Sequence, residues 1–330
     1  MTEVDFYIED LKSKFAKIDP KKYYLAYSGG KDSHFLYWFI KEILHDTDIK
    51  IVSVNTYMEF PEILARMKKY ADVVLTPKMK PHEVIEKYGT PCFSKFQDDM
   101  ISRYQRGNRS DALMERFTGK TFVGRDGEVH NSSFSLNQTA KNRLLENTLP
   151  KISPKCCEYL KKKPSREYEQ MADRKSILGV MADESRMRKS RYKSCFTKSG
   201  KFTPLWDCTE KLMNEIYSRY NIELPSIYQY VNQTGCAGCP YGLRVHDTEI
   251  ELQLMSQNKR RYVISLFGEA YRIRGFEPNQ MSIYDFIDQP RLERRFKHEV
   301  PEEEHGRGIR PVGIPFHAAE AHHEIIQEQA

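Results

Sequence analysis

Long apolar runs are missing from this 330-residue sequence. The longest strongly apolar stretch covers residues 35–40, whereas a membrane-spanning helix needs roughly 20 residues. The first residues lack the basic and apolar segments of a secretion signal, so we expect a cytoplasmic protein with no membrane partner. Repeats and single-residue tracts are absent too, and a composition with 39% apolar and 30% charged residues predicts a globular chain.

The sequence also lacks a strong charge excess, and its cysteines argue against a disulfide framework. Lys and Arg number 52 against 46 Asp and Glu, and the resulting net charge of +6 permits a polyanionic partner without demonstrating one. The chain has seven cysteines, an odd number, and no secretion signal. They therefore favour metal, cluster or redox chemistry over disulfide bonds.

Strands and helices alternate through the first half of the chain. Short β-rich runs are each followed by a stretch with apolar residues at helical spacing. We predict helices over residues 3–17, 31–44, 61–70 and 81–88, and strands over 23–27, 49–54, 72–76 and 176–182. Because parallel strands need helical crossovers, the pattern predicts an α/β fold with a parallel sheet covered by helices.

The sharpest local motif is a glycine-rich loop between the first strand and the next helix: Ser28, Gly29, Gly30, Lys31, Asp32 and Ser33. Its glycines allow close approach to a phosphate, and the free amides at the helix start favour negative charge. Lys31 can neutralise phosphate oxygens, and the carboxylate of Asp32 suits Mg²⁺ in a nucleotide site. The spacing excludes a Walker loop, which has four residues between its Gly and its Gly-Lys pair.

This loop resembles the PP-loop of the ATP pyrophosphatase superfamily, whose motif is Ser-Gly-Gly-x-Asp-Ser. Members of that superfamily split ATP between the α and β phosphates to adenylate a substrate. The resemblance implies a HUP-like (adenine nucleotide alpha hydrolase-like) fold with helices on both faces of the sheet. It also implies that residues 28–33 bind ATP and Mg²⁺, and that Lys31 and Asp32 are catalytic. The adenine is expected near the end of the second strand, where Asn55 is the candidate contact.

Two cysteine pairs are the second strong motif. Cys156 and Cys157 are adjacent, and Cys236 and Cys239 enclose two residues. Four thiolates from distant segments can form one metal site; structural zinc is one alternative to a cluster, and unligated thiols are another. Adjacent cysteines converge poorly on a single tetrahedral ion, whereas each can bind a different iron of a cubane. We therefore predict a 4Fe-4S cluster.

A closer resemblance, over roughly residues 20–243, is to the phosphoadenosine phosphosulfate (PAPS) reductase family. Its cluster-bearing members carry the same Cys-Cys and Cys-x-x-Cys pairs, and residues 179–188 are similar to the family's Gly-Ile-Arg-x-x-Glu-Ser-x-x-Arg. The resemblance implies that Arg188 contacts a nucleotide phosphate and is catalytic with Lys31 and Asp32, and that Glu184 and Ser185 shape the same pocket. It also implies that the four cysteines hold the cluster.

Two departures separate this chain from the reductases. Met181 stands where the family has an arginine, and no cysteine follows Cys239, although the reductases attack sulfate through a cysteine near the C-terminus. The reductases also typically carry a degraded phosphate loop, while the loop here is intact. The chain therefore resembles ATP-using relatives, most of all the DndC-like DNA phosphorothioation sulfurtransferases.

These observations predict an iron-sulfur-dependent sulfurtransferase that adenylates an acceptor and releases AMP and pyrophosphate. The basic residues within 186–193 favour nucleic acid as the acceptor. The sulfur would come from a donor such as a cysteine desulfurase, with Cys92, Cys195 and Cys208 as possible carriers unless they are packing residues. A PAPS or adenosine phosphosulfate reductase is the alternative, and a nucleotide- and cluster-binding regulatory subunit within a protein complex is a third hypothesis.

The expected organisation has three parts. Residues 1–185 form the nucleotide-binding domain, with a polar insertion or mobile loop at about 107–143. Residues 186–290 form a mostly helical region, with helices at 205–220 and 247–271, that completes the cluster site. Residues 291–330 form a loosely packed tail.

Overall fold

A computed structural model describes residues 2–119, 121–123, 126–131, 135–184, 186–231, 234–244 and 248–278. The α-helices are α1 Glu3–Phe15, α2 Lys31–Trp38, α3 Pro61–Tyr70, α4 Pro81–Tyr88, α5 Lys95–Gln105, α6 Asp111–Thr118, α7 Gln138–Leu145, α8 Lys155–Cys157, α9 Lys163–Ala172, α10 Arg186–Arg191, α11 Glu210–Arg219, α12 Thr248–Gln253 and α13 Gln257–Ile273. The strands are β1 Tyr23–Ala26, β2 Lys50–Val54, β3 Val73–Leu75, β4 Thr121–Val123, β5 Val129–Asn131 and β6 Lys175–Ile177. π-Helical turns follow α2 at Phe39–Ile43 and join α8 to α9 at Glu158–Lys162.

The main sheet has four parallel strands in the order β3-β2-β1-β6. Leu25 of β1 pairs with Ile51 on one side and with Ile177 on the other. The chain therefore leaves β1 towards one edge of the sheet and returns with β6 on the opposite side of β1. In open α/β sheets such a switch point opens a crevice at the carboxyl ends of the strands, and ligands bind there.

Helices cover both faces of this sheet. Leu25, Ile51 and Ile177 belong to one apolar cluster, which they share with α1, α2 and α11. Tyr24 and Val52, their neighbours along the strands, pack instead with α9. This alternation follows the two-residue period of a strand. The predicted α/β fold, a parallel sheet with helices on both faces, is confirmed.

Several predicted elements differ in extent. The helix expected over 247–271 is divided into α12 and α13, because Ser256 caps the second helix by accepting a hydrogen bond from the amide of Lys259. The helix expected over 205–220 begins at Glu210, after the N-cap Thr209. The strand expected over 176–182 ends at Ile177.

The segment 107–143, expected to be an insertion or mobile loop, contains α6, the antiparallel hairpin of β4 and β5, and most of α7. The tail predicted at 291–330 lies outside the described residues, and the three-part division of the chain stays a prediction. Among the helices that the structure describes, none has the length and apolar character to cross a membrane.

His34 is a buried histidine in the first turn of α2, with 5% of its surface exposed. Burial, followed by the nearby charges of Arg66 and Lys69, lowers its pKa to about 3. The unfolded chain takes up this proton near pH 6.5, so between these two values the unfolded state binds more protons than the folded state. Stability is therefore lost as the pH falls below about 6.5.

We expect the free energy of unfolding to fall by about 1 kcal/mol between pH 7 and pH 5.5 through His34. Urea denaturation of the wild type and of His34→Asn at both pH values measures this contribution. The matched control is His45→Asn, because His45 is exposed and its replacement should leave the pH dependence of the wild type in place. An equal pH dependence in His34→Asn and the wild type would contradict the expectation.

Candidate functional site

The glycine-rich loop follows β1 and begins α2, at the switch point of the sheet. Gly29 has a φ of +77°, and a Cβ at this position would lie 2.9 Å from the Ile63 side chain, so this position requires glycine. Ser33 closes the loop, since its Oγ accepts from the Ser28 amide at 3.1 Å and donates to the Gly30 carbonyl at 3.0 Å. The loop therefore has a fixed shape in which the first amide groups of α2 are not used by the helix itself.

The loop forms one wall of a cavity of about 310 Å³. The lining residues come from the loop and from three distant segments: Ser28, Gly30, Lys31, Asp32, Ser33, Gly179, Val180, Met181, Asp183, Arg188, Glu210, Tyr228 and Thr234. The segment 179–188 reaches the loop because Gly179 lacks a side chain, and a Cβ there would lie 3.0 Å from the backbone of Asp32 and Ser33. Arg188 and the loop thus share one site. The side chain of Glu184 and all of Ser185 lie outside the described structure.

Both signs of charge are present in this cavity, which we call the phosphate cavity. Lys31 Nζ lies 2.7 Å from Glu210 Oε1, and Asp32 and Asp183 add further carboxylates to the wall. Burial alone would lower the pKa of Lys31, but the Glu210 carboxylate outweighs burial and raises that pKa. Lys31 is therefore a permanent cation. Cations and carboxylates together suit a nucleotide phosphate that binds with a divalent metal ion.

Two hydroxyl groups cover the loop. Tyr228 Oη accepts a hydrogen bond from the Lys31 amide at 2.8 Å, and it lies 3.0 Å from Thr234 Oγ1. A second tyrosine, Tyr217, donates to the Lys31 carbonyl at 2.6 Å. Tyr228, Thr234 and Glu210 were not predicted, because each lies at least 179 positions from Lys31 in the sequence and no local motif marks them.

A second cavity, also of about 310 Å³, lies beside the first and shares Ser28 and Thr234 with it. Apolar side chains of β1, β2 and α3 dominate its wall, including Val52, Val54 and Met67. An apolar slot next to a phosphate site fits a nucleoside, so we call it the nucleoside cavity. Asn55, the expected adenine contact, lies in the turn after β2, where its Oδ1 accepts from the Tyr57 amide at 2.9 Å. Val52 and Val54 of β2 line this cavity, and the contact of Asn55 with adenine stays a prediction.

All four cysteines of the two pairs line a third cavity, which we call the cysteine cavity. Cys156 and Cys157 lie on α8, while the loop of Cys236 and Cys239 turns at Gly238, whose φ is +66°. Glu251 holds this loop by accepting from the Gly238 amide at 2.8 Å. Two segments that are far apart in the sequence therefore meet at one place.

The titratable groups around the cysteine cavity shift one another's pKa values. Burial raises the pKa of the Cys156 and Cys239 thiols, and the neighbouring cysteines raise it further. The ammonium group of Lys161 lines the same cavity, and Cys236 is the main cause of its raised pKa. In the part of the chain that the structure describes, no three His, Cys, Asp or Glu side chains are grouped tightly enough to hold a single metal ion.

Lys161 connects the cysteine cavity to the nucleoside cavity, because it lines both. Ser28 and Thr234 connect the nucleoside cavity to the phosphate cavity in the same way. Lys161 was not predicted, although it lies four residues after Cys157 on a continuous helical segment, a spacing that places both on one face of the helix. The three cavities form a series from the glycine-rich loop to the cysteines.

The remaining cysteines are packed into the protein. Cys92 and Cys208 are buried, and burial raises the pKa of each thiol to about 12. Cys195 is half-buried and packs against the apolar cluster of α1, α2 and α11. A thiol with a pKa near 12 is a poor nucleophile at neutral pH, so Cys92 and Cys208 are better described as packing residues than as sulfur carriers.

Fold and site together define an α/β protein with a glycine-rich loop that lines a cavity at a switch point of its parallel sheet. No protein-family model and no curated protein matches the chain. Its fold is similar to that of a phosphoadenylyl-sulfate (PAPS) reductase from Candida auris, solved with phosphate, at 13% identity, with 72% of this chain and 96% of that chain covered and a TM-score of 0.39.

Two NAD synthetases are similar in fold to this chain to a comparable degree. The NH3-dependent enzyme from Campylobacter jejuni is 11% identical, with 84% of this chain and 97% of that chain covered and a TM-score of 0.33. The NAD+ synthetase from Burkholderia pseudomallei is 12% identical, with 83% and 91% covered and a TM-score of 0.36.

Proposed function

We propose that this protein is an ATP pyrophosphatase-type sulfurtransferase that activates an acceptor by adenylation and allows sulfur to enter in place of AMP. The observation that carries the proposal is the series of three cavities. An anion-binding loop, an apolar slot of nucleoside size and a pocket with four thiols follow one another, with Ser28 and Lys161 at the two junctions.

The phosphate cavity supplies the groups needed for adenylation. An acceptor oxygen bonds to the α phosphorus of ATP, the bond between that phosphorus and the bridging oxygen breaks, and pyrophosphate leaves with the electron pair. Lys31 and Arg188 line the cavity that would receive the phosphates, where they would stabilise the charge on the leaving group. Asp32 is the proposed ligand of Mg²⁺, which would neutralise the same oxygens.

The cysteine cavity has the donor set for an iron-sulfur cluster. Four thiols in an apolar pocket with one lysine match the ligands that such clusters take, and Cys156, Cys157, Cys236 and Cys239 would hold a 4Fe-4S cluster. A bound cluster would supply a site for handling sulfur near the activated acceptor. The ammonium group of Lys161 would offset the negative charge of the thiolates and face the nucleoside cavity.

Nucleic acid is the proposed acceptor. Lys189 and Arg191 are exposed on α10, the helix whose Arg188 lines the phosphate cavity. A basic surface beside the cavity would guide a polyanion towards the activated phosphorus. Binding should weaken as salt rises, since Lys and Arg release counterions from the phosphate backbone.

The proposed reaction is tested with ATP, Mg²⁺, nucleic acid, a persulfide-charged cysteine desulfurase and a thiol reductant. The terminal sulfur of the persulfide bonds to the adenylated acceptor as AMP leaves, and the thiol then cleaves the sulfur-sulfur bond. We expect thiolated nucleic acid by mass spectrometry, with AMP and pyrophosphate formed together.

Three other results would contradict all or part of this proposal. Sulfite released from adenosine phosphosulfate or PAPS with thioredoxin as reductant would identify a sulfonucleotide reductase. ATP binding without any turnover, in the presence of acceptor and donor, would favour a regulatory subunit. Nucleic-acid binding that is absent or insensitive to salt would move the acceptor to another class of molecule.

A further inference from the structure

Tyr228 places its hydroxyl group where a phosphate oxygen is expected. The Lys31 amide is the first N–H of α2, and it donates to Tyr228 Oη at 2.8 Å. The first N–H groups of a helix have no acceptor within the helix, which is the reason such sites bind phosphate. At this loop one of these donors already has a protein acceptor.

The Tyr228 hydroxyl leaves little space above the backbone of the glycine-rich loop. A Cβ at Gly30 would lie 2.9 Å from the Tyr228 hydroxyl and 2.8 Å from the Thr234 hydroxyl. Both groups therefore pack directly on the loop backbone, and any phosphate that approaches the same amide would occupy the same volume. The phosphate and the Tyr228 hydroxyl cannot both accept the hydrogen bond of the Lys31 amide.

The segment that carries Tyr228 is anchored independently of the loop. Glu62 of α3 accepts hydrogen bonds from the Ser226 amide at 2.6 Å, the Ser226 hydroxyl at 2.9 Å and the Ile227 amide at 3.1 Å. Because the start of the segment is held by α3, the Tyr228 side chain can leave the loop without detaching the segment.

We propose that Tyr228 is a displaceable occupant of the phosphate site and sets the affinity of the loop for phosphate groups. A phosphate oxygen carries charge and is the stronger acceptor, so it replaces the neutral hydroxyl at the Lys31 amide. Every binding event then includes the loss of one hydrogen bond within the protein. This inference rests on the proposed function, because it takes the loop to bind phosphate.

The test is calorimetric titration of the full chain with inorganic pyrophosphate. We expect Tyr228→Phe to bind pyrophosphate about 3- to 10-fold more tightly than the wild type, the change that one hydrogen bond of ordinary net strength produces. Adenosine brings no phosphate to the loop and should bind both proteins equally. In the wild type, pyrophosphate should also speed amide hydrogen exchange in residues 228–231, because these residues lie beyond the two that Glu62 holds and lose the contact of the Tyr228 hydroxyl with the loop.

Tyr217→Phe is the matched control. It removes a hydroxyl that donates to the carbonyl of the same lysine and leaves the amide donor unchanged. The affinity for pyrophosphate should not rise in this variant. A rise equal to that of Tyr228→Phe would point to general loosening of the site and would overturn the proposal.

The remaining outcomes separate this inference from the proposed function. A wild type that binds neither pyrophosphate nor ATP contradicts the proposed function and the role of Tyr228 together. A wild type that binds pyrophosphate while Tyr228→Phe binds it equally or more weakly contradicts the role of Tyr228 alone. If Tyr228→Phe does not fold, unchanged or slower exchange of residues 228–231 in the wild type overturns the inference.

Discussion

Replacement of Lys31 by alanine is expected to lower the rate of pyrophosphate release from ATP about 10²- to 10³-fold, the usual effect of removing one group that stabilises developing charge. Lys31 is the loop's cation, and its ammonium group lines the phosphate cavity. Its partner Glu210 has 63% of its side chain exposed, so water can solvate the carboxylate when the lysine is absent. The variant should therefore fold and lose catalysis.

The measurement follows phosphate release with and without added pyrophosphatase, which distinguishes pyrophosphate from orthophosphate. Lys22→Ala is the control, because Lys22 is an exposed lysine that pairs with Asp173 and does not line the phosphate cavity. Its rate should equal that of the wild type. Release of ADP and orthophosphate, or an unchanged rate in Lys31→Ala, would rule out the proposed cleavage.

Anaerobically purified protein should contain about four irons per chain and show the brown colour of a cubane cluster. The four cysteines line one cavity together with Lys161, so each thiol is expected to bind one iron. We expect Cys157→Ser and Cys239→Ser to lose most of this iron, because a serine hydroxyl is a poor ligand for it. The iron and sulfide content per chain and the visible charge-transfer absorbance of the cluster are measured for each protein.

Cys195→Ser is the matched control for the cluster. Cys195 packs against the apolar cluster of the main sheet and does not line the cysteine cavity, so its replacement should leave the iron content unchanged. Stoichiometric zinc in protein prepared with iron available would contradict the cluster. Zinc with tetrahedral thiolate ligands would then give the four cysteines a structural role.

The sequence by itself determined the elements that depend on neighbouring residues. The order of β1, loop and α2 follows from a short apolar run, two glycines and apolar residues at helical spacing, all within residues 23–44. The α3 prediction over 61–70 matches the observed helix, because Pro61 begins it and its apolar residues recur at helical spacing. Such signals are local, since steric freedom at glycine and the period of a helix involve residues close in the chain.

Tertiary structure decided which groups meet. The sequence indicated that two cysteine pairs could share a site, and the fold places all four around one cavity; the group that they bind stays a prediction. Asn55 follows the second strand, and its side chain accepts from the Tyr57 amide in the turn after β2; its contact with adenine stays a prediction. Three contacts had not been predicted. Tyr228 accepts from the Lys31 amide, Glu210 pairs with the Lys31 ammonium, and Lys161 lines two cavities. These contacts join residues on different segments, and they exist only because the packing of the whole sheet and its helices brings those segments together.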